Sequence, residues 1–552
     1  MDNIKVDGII IQDMSILQLC KEQKLQNFEI HSSVMMNVHN IETAKALKEM
    51  GVSRVVLSRE MDLKTAKNLQ NHTGIETEYF MHGDMCAVNG ANCYYSSLLW
   101  GNSSNRGRCF KPCRWAYNIK KDGYLYPTTY PLAAKDMYMY EHIPELIEAC
   151  VTSFKIEGRM RETDFIVDLV NTYGEAIDRY IEDPLSFDRK KYASELFENR
   201  KRDFSTAYAL GKPGLDFINT RYEGTGKFYS TGKVFSVPSE EPEITQALLS
   251  TAQTELINNN NITLRQKISV KVNNYQQGSL CIEMKVDRIY LSSDVLQPDT
   301  FMTLAQLKHL DSIKGDTEIF LALPQMMDEF QFDIIDHYLH RHGHLFDGIL
   351  ATNLGAIKRY SDKYKVIADY NLNIYNHKAV ELYKGIGVEQ FTVSIEAKIN
   401  ELSKFLTAAK ESIELIVHGP ISVMYLDHNL FDNLNALQPV ETADNKYVDN
   451  DVLVLLHEKG ENPVYIDQSN KNHLFTTKEL CLLPILENLS HRKLTSLRIE
   501  GQTYSLEELK YIIEVYQLAT ADKTSCSKLY QEMKSCRAGF TLGALSHKFD
   551  LD

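Results

Sequence analysis

Short apolar runs alternate with amphipathic stretches along most of this chain. VDGIIIQD from Val6, VSRVVLSRE from Val52, IETEYFMHG from Ile75 and VTSFKIEG from Val151 are rich in β-branched and aromatic residues. That pattern predicts buried parallel strands. Between them lie segments such as NIETAKALKEMG from Asn40, with apolar residues at helical spacing and a glycine stop. Strand alternating with helix predicts an α/β fold. A second series, from Ile268 to Gly501, holds eight strand candidates, which begin at Ile268, Asp287, Glu318, Asp347, Lys365, Gln390, Glu414 and Leu494. Eight parallel strands with intervening helices is the count of a (β/α)8 barrel.

The two series are copies of one unit. A shift of 336 places Asn37, Asn40, Lys48, Gly51, Ser58, Glu60, Glu78, His82 and Gly83 on Asn373, Asn376, Lys384, Gly387, Ser394, Glu396, Glu414, His418 and Gly419 without a gap. Asp7-Gly8 matches Asp347-Gly348, and Lys135, Ser153, Glu157 and Tyr173 match Lys478, Ser496, Glu500 and Tyr516. The first copy starts at the partner of the fourth strand and has five candidates, near Asp7, Phe28, Val52, Ile75 and Val151. The expectation is therefore two tandem TIM-barrel-like units, the first lacking three N-terminal βα units, roughly 70 to 90 residues. The expected divisions are an incomplete barrel over 1–183, a linker and small β-rich insert over 184–262, a complete barrel over 263–520 and a tail over 521–552.

Chemistry concentrates where the copies differ. Between His82-Gly83 and Lys135 the first copy carries Cys86, Cys93, Cys109 and Cys113, four of the ten cysteines, whereas Gly419 to Thr477 has none. The spacing, C-x6-C-x15-C-x3-C, suits an iron–sulfur cluster better than the paired short knuckles of structural zinc; zinc and plain buried thiols are the alternatives. Cys20, Cys150 and Cys281 sit in apolar runs and read as core residues, and Cys526 and Cys536 as structural or surface thiols.

The net charge of −14 argues against a broadly basic nucleic-acid coat. A local cluster, Arg106, Arg108, Lys111, Arg114, Lys120 and Lys121, surrounds the cysteines and is either a solvated loop or a phosphate-facing rim. The N-terminus lacks a basic region followed by a long apolar stretch, and no apolar run spans a bilayer. With free cysteines, a cytoplasmic protein is expected. No obligate protein partner is evident.

Glu78-x-Phe80, Gly83, Cys86, Cys93, Asn105-Arg106-Gly107, Cys109 and Cys113-Arg114, with Lys155-Ile156-Glu157-Gly158-Arg159-Met160, resemble the signatures of the U32 family, historically called collagenase-like peptidases. The two-unit length resembles the long members. The chain departs from the family pattern at Asp84 (usually small), Ala91 (usually Gly), Tyr95 (usually aliphatic) and Tyr138, where some relatives have a ligand cysteine. Cys113 is the natural substitute for that ligand.

The resemblance implies a 4Fe–4S cluster on Cys86, Cys93, Cys109 and Cys113. It also implies hydroxylation of an RNA base, of 23S rRNA cytidine or tRNA uridine type, with prephenate as the linked hydroxyl source. A U32 peptidase and a non-enzymatic metal-binding module are the rival readings. Strand ends offer Arg59, Glu60, His82, Lys155, Glu157 and Arg159 as candidate catalytic groups. Arg106, Arg108, Lys111 and Arg114 are the candidate RNA contacts. Arg59 and Arg159 are replaced in the second copy, by Ile395 and Gln502, which favours them. No Ser/His/Asp elbow, HExxH or P-loop is present.

Overall fold

A computed structural model describes residues 4–159, 161–200, 202–219, 236–256, 265–444, 451–489, 493–537 and 539–548. In the second half eight parallel strands close on themselves. They are β10 (Lys267–Val272), β11 (Arg288–Ser292), β12 (Glu318–Ala322), β13 (Gly348–Ala351), β14 (Val366–Ala368), β15 (Val388–Thr392), β16 (Ser412–Gly419) and β23 (Leu494–Glu500). They pair in that order, and β23 returns to β10. Closure leaves no free edge and dries the interior. Glu414 is buried there, accepting from Ser269, Ser496, Tyr290 and Arg498.

The first half forms an open parallel sheet. β1 (Gly8–Ile11), β2 (Glu29–Ser32), β3 (Arg54–Val56), β4 (Glu76–Gly83) and β8 (Ser153–Glu157) pair in sequence. Their places match the five expected strands. Among the described residues no strand joins β8 to β1. Beyond β4, β7 (Asp136–Tyr138) pairs antiparallel and β9 (Phe204–Ser205) extends it. The second half repeats this corner, with β22 (Glu479–Cys481) on β16 and β24 (Phe540–Thr541) on β22. Residues after 520 thus belong to the second unit and are not a separate tail.

Repeated helices join the halves. Helix Ile41–Glu49 starts at Asn40, whose side chain accepts from Thr43 N, and buries Ile41, Ala44 and Leu47 at helical spacing. Its counterpart His377–Gly385 is capped in the same way by Asn376. Helix Met14–Gln23 packs on His377–Gly385, while Ile41–Glu49 packs on Leu354–Tyr360. Because Met14–Gln23 corresponds to Leu354–Tyr360, the contact is pseudo-symmetric, like an isologous dimer interface within one chain. Lys378–Glu22 and Lys358–Glu49 ion pairs, at 2.7 and 2.6 Å, lie on its two sides.

A third sheet also unites the halves. β5 (Tyr117–Lys121) and β6 (Tyr124–Thr129) come from the first. β17 (Ser422–Leu426), β18 (Glu441–Thr442), β19 (Leu453–His457), β20 (Gly460–Ile466) and β21 (Asn472–Phe475) come from the second. β5 pairs with β19 and β6 with β18. The β-rich insert expected within 184–262 falls partly on 220–235, outside the described residues. The described part holds only the two-residue β9 as a named strand. No described helix is long and apolar enough to cross a membrane.

Candidate metal centre and its surroundings

The cysteine loop leaves β4 at Gly83, where φ is +109° and a Cβ would stand 2.2 Å from Glu157 O, so only glycine fits. From there the loop folds against the second barrel. Asn89 N and Tyr94 N donate to Tyr425 O and Val423 O at 2.9 and 2.8 Å, and Cys93 bridges to Met424. Asn371 donates to Asn92 Oδ1 at 2.9 Å, and both Asn105 and Asn373 donate to Ala91 O at 3.2 Å. Those two bonds hold Ala91 at φ +64°, a conformation that suits the glycine other members place there. Buried Glu396, at the end of β15, accepts from Ser97, from Ser103 at 3.0 Å and from Asn105 at 2.9 Å. Burial pushes its carboxyl up, while these donors and Arg106 oppose that. The second copy is thus the wall on which the cysteine loop is built. Glu396 was visible in the sequence only as the repeat of Glu60.

The four thiols face a common space. Burial raises Cys93 well above the usual thiol range, and Cys109, Cys86 and Cys113 raise it further. Burial pushes Cys113 to about 12, with Arg114 and Lys111 pulling it down and Cys86 and Cys109 pushing it up. Lys111 N donates to Cys109 Sγ at 3.2 Å. The only His/Cys/Asp/Glu triad among the described residues with donor atoms mutually within 4.8 Å lies elsewhere, so no three of these sulfurs are that close. A tetrahedral Zn–S₄ site would need sulfurs about 3.8 Å apart, from Zn–S bonds of about 2.3 Å. The donor set and its spread fit a larger cluster better than one ion. Trp115, Trp100, Phe110 and Tyr95 meet edge to face nearby; Trp115 and Tyr95 are buried, Phe110 is exposed, and the four cysteines are half-buried. Cys481 is fully buried beside His418 and Tyr516, and Tyr138 stacks on Phe204 at 4.6 Å.

The basic residues divide. Arg114 is 1% exposed, donating to Ala134 O at 2.6 Å, Met85 O at 3.2 Å and Asp84 at 3.0 Å. Asp84 also accepts from Lys111 and, at 2.6 Å, from Arg202, which reaches Asp136 at 3.1 Å. Burial alone would raise the Asp84 carboxyl; Lys111, Arg202 and Arg114 outweigh it and hold it well below the carboxylate range. The expectation that Arg114 and Lys111 meet phosphate is therefore corrected: Arg114 is buried, and both are held inward by Asp84, a residue unusual for the family. Lys120 and Lys121 pair with Asp444 and Asp451 at 2.9 and 2.8 Å. Arg106 pairs with Glu401 at 2.9 Å and lies over Tyr375. Arg108 is exposed, and among the described residues it has no ion-pair partner.

At the strand ends, Lys155 pairs with Glu78 at 2.9 Å, repeating Arg498 with Glu414. His82 is buried, its Nδ1 3.0 Å from Tyr173 Oη, and burial pushes it down to about 4. His418 and Tyr516 repeat that contact, which gives His82 a role in the fold. Glu60 accepts from Ser58 at 2.5 Å. Arg59 lies over Phe80, and its Nη1 is buried without a hydrogen-bond partner among the described residues. Arg159 is exposed, and a Cβ on Gly107 would stand 3.5 Å from its Nη1, so it borders the cysteine loop. Glu157 accepts from Arg159 N at 3.4 Å.

An α/β chain with one closed barrel and a four-thiol loop at the strand ends of its open sheet is the class defined so far. It matches the description of peptidase family U32 over residues 1–218 and 273–543 and belongs to that family. It is 34% identical over 225 residues to the tRNA hydroxylation protein P1 of Bacillus subtilis (39% of this chain, 53% of that protein). It is 34% identical over 219 residues to the uncharacterized protease MJ0090 of Methanocaldococcus jannaschii (38% and 52%). To the 23S rRNA 5-hydroxycytidine C2501 synthase of Escherichia coli it is 29% identical over 272 residues (48% and 40%). The chain thus spans about half the length, or less, of these relatives.

Proposed function

We propose that this chain is an enzyme that hydroxylates an RNA base, with Cys86, Cys93, Cys109 and Cys113 holding a 4Fe–4S cluster. The observation that carries the reading is the grouping of the four half-buried thiols in one loop, in a chain similar to proteins named for tRNA and rRNA hydroxylation. The cluster supplies one-electron chemistry when bound. The chain's own residues hold and place the substrate. Arg108 and Arg159, exposed on either side of Gly107, receive phosphate or a base edge. Arg59 offers a buried, unpartnered donor at a neighbouring strand end. A base in folded RNA reaches them unpaired or extruded. Prephenate is the oxygen source that the family resemblance implies. We read the first sheet as five of the eight strand positions of a second barrel.

A peptidase is the rival, given the relative named as a protease. It is less favoured because His82, the strand-end histidine, is engaged by Tyr173. Nucleoside mass spectrometry of total RNA from cells with and without the gene tests the reading. The expected result is loss of a nucleoside carrying one added oxygen. Unchanged RNA with peptide cleavage by the purified chain overturns it.

A further inference from the structure

The mouth of the closed barrel holds a second constellation that the cysteine loop does not use. Asp294 follows β11, and Asp467 and His473 flank the turn from β20 to β21. One donor atom of each lies within 4.8 Å of the others, and all three residues are buried. His473 Nε2 stands 3.0 Å from Asp467 Oδ2.

Backbone donors set both carboxylates. The N–H groups of Ser469 and Lys471 hold Asp467 Oδ1 at 2.8 and 2.9 Å, turning Oδ2 to His473. The N–H of Gln325 holds Asp294 Oδ2 at 2.8 Å, and Asp294 Oδ1 is left buried without a hydrogen-bond partner among the described residues. Oriented ligands with outer support are what a metal site requires. Tyr425 Oη, also buried and without a hydrogen-bond partner among the described residues, belongs to a ring 5.0 Å from that of His473. Asp294 and His473 line a small cavity of about 10 Å³, the room of a single water-sized group, together with Lys271, Gln325, Ser422 and Gln502. Two buried carboxylates side by side repel, and a cation between them removes the repulsion.

We propose that Asp294, Asp467 and His473 bind a divalent cation of the manganese, ferrous or zinc class, with an open coordination position toward the cavity. Two carboxylates and one imidazole suit these borderline ions and not a thiophilic one. Three protein ligands with space for one water-sized group beside them is the arrangement of a ligand-exchanging site. The proposal is independent of the cluster reading.

The test is titration of the full chain with Mn²⁺ alone, followed by loss of the free-ion paramagnetic resonance signal and by thermal shift. Wild type and Cys93→Ser are expected to bind one equivalent and to melt higher with Mn²⁺. Asp294→Asn, which keeps the shape and removes the repulsion, and His473→Gln are expected to bind at least about tenfold more weakly. No binding by wild type overturns the proposal, as does undiminished binding by both variants. If Asp294→Asn melts higher than wild type and wild type takes no Mn²⁺, a shared proton occupies the place assigned to the metal.

Discussion

Glu78 and Glu414 hold the same position in two sheets, and their surroundings differ because one sheet closes and the other does not. Each accepts from a serine on the neighbouring strand, Ser153 at 3.0 Å or Ser496 at 2.9 Å, and each faces a cation there, Lys155 or Arg498. In the closed barrel Arg498 and Glu414 are both 0% exposed at the side chain, and Tyr290, Ser269 and Thr392 add hydrogen bonds to the carboxylate. In the open sheet Lys155 remains 28% exposed. The repeated motif is therefore a buried polar network where the strands close and a watered ion pair where they do not. The open unit kept exposed polar strand ends, while the closed one became the wall of the cysteine loop.

The largest expected effect tests that contrast. Glu414→Ala strands the buried hydroxyls of Ser269, Ser496 and Tyr290 in a dry interior and removes one of three carboxylates on Arg498, which keeps Asp369 and Glu500, and it is expected to cost about 3–5 kcal/mol. Glu78→Ala, with water able to reach Lys155, is expected to cost about 1–2 kcal/mol. Urea unfolding of both variants is the measurement; equal losses would mean that the open sheet is as dry as the closed one.

The paired histidines come next. Burial lowers His82 from 6.5 to about 4, and it lowers His418 as well. The unfolded chain takes up a proton near 6.5 that folded His82 refuses until about 4. Unfolded protein thus binds more protons in this window, so the His82 contribution to stability is present above 6.5 and lost as pH falls toward 4. The shift is worth roughly 3 kcal/mol. His82→Gln is expected to flatten that part of the acid-unfolding curve, and His418→Gln to do the same in the closed unit. An unchanged slope between pH 7 and 4 in both variants would show that these imidazoles are solvated.

The third contrast sets Glu396 against Glu60. Removing Glu396 unties Ser97, Ser103 and Asn105 together. About 1–3 kcal/mol of loop stability is expected to go with these bonds to a charged acceptor. If the four thiols hold the proposed cluster, Glu396→Ala is expected to lose iron on anaerobic purification while Glu60→Ala keeps it. Full iron in Glu396→Ala would mean that the second copy does not hold the loop.

Much of this was legible in the chain. The repeat and the strand runs depend on local pattern, so β1 to β4, β8 and the eight closing strands fall where the apolar runs do. The shared sheet was not legible, because β5 and β19 pair across more than 300 positions and neither shows a partner in its own pattern. The cysteines announced themselves by number, but their support did not: Glu396 looked like a fold residue because it recurs. Charge misled in the same way. Arg114 and Arg108 are equal in a sequence, and only Asp84 and Arg202, brought from 118 residues apart, separate them.

That separation gives the last and smallest stability effect. Arg108 is exposed and unpaired among the described residues, so Arg108→Ala is expected to change folding stability by no more than about 0.5 kcal/mol. Arg114→Ala strips one cation from a network in which Asp84 and Asp136 sit with Arg202, and it is expected to destabilise the loop measurably. RNA affinity should divide the other way. If phosphate is received beside the thiols, Arg108→Ala weakens RNA binding and lowers the slope of log affinity against log salt by about one. Iron content should stay at the wild-type level, because no ligand or loop bond is touched. The measurement is RNA binding at several salt concentrations for wild type, Arg108→Ala and Arg159→Ala. An unchanged slope in both variants would move the RNA away from the Gly107 rim and leave Arg59, at the neighbouring strand end, as the cation to test next.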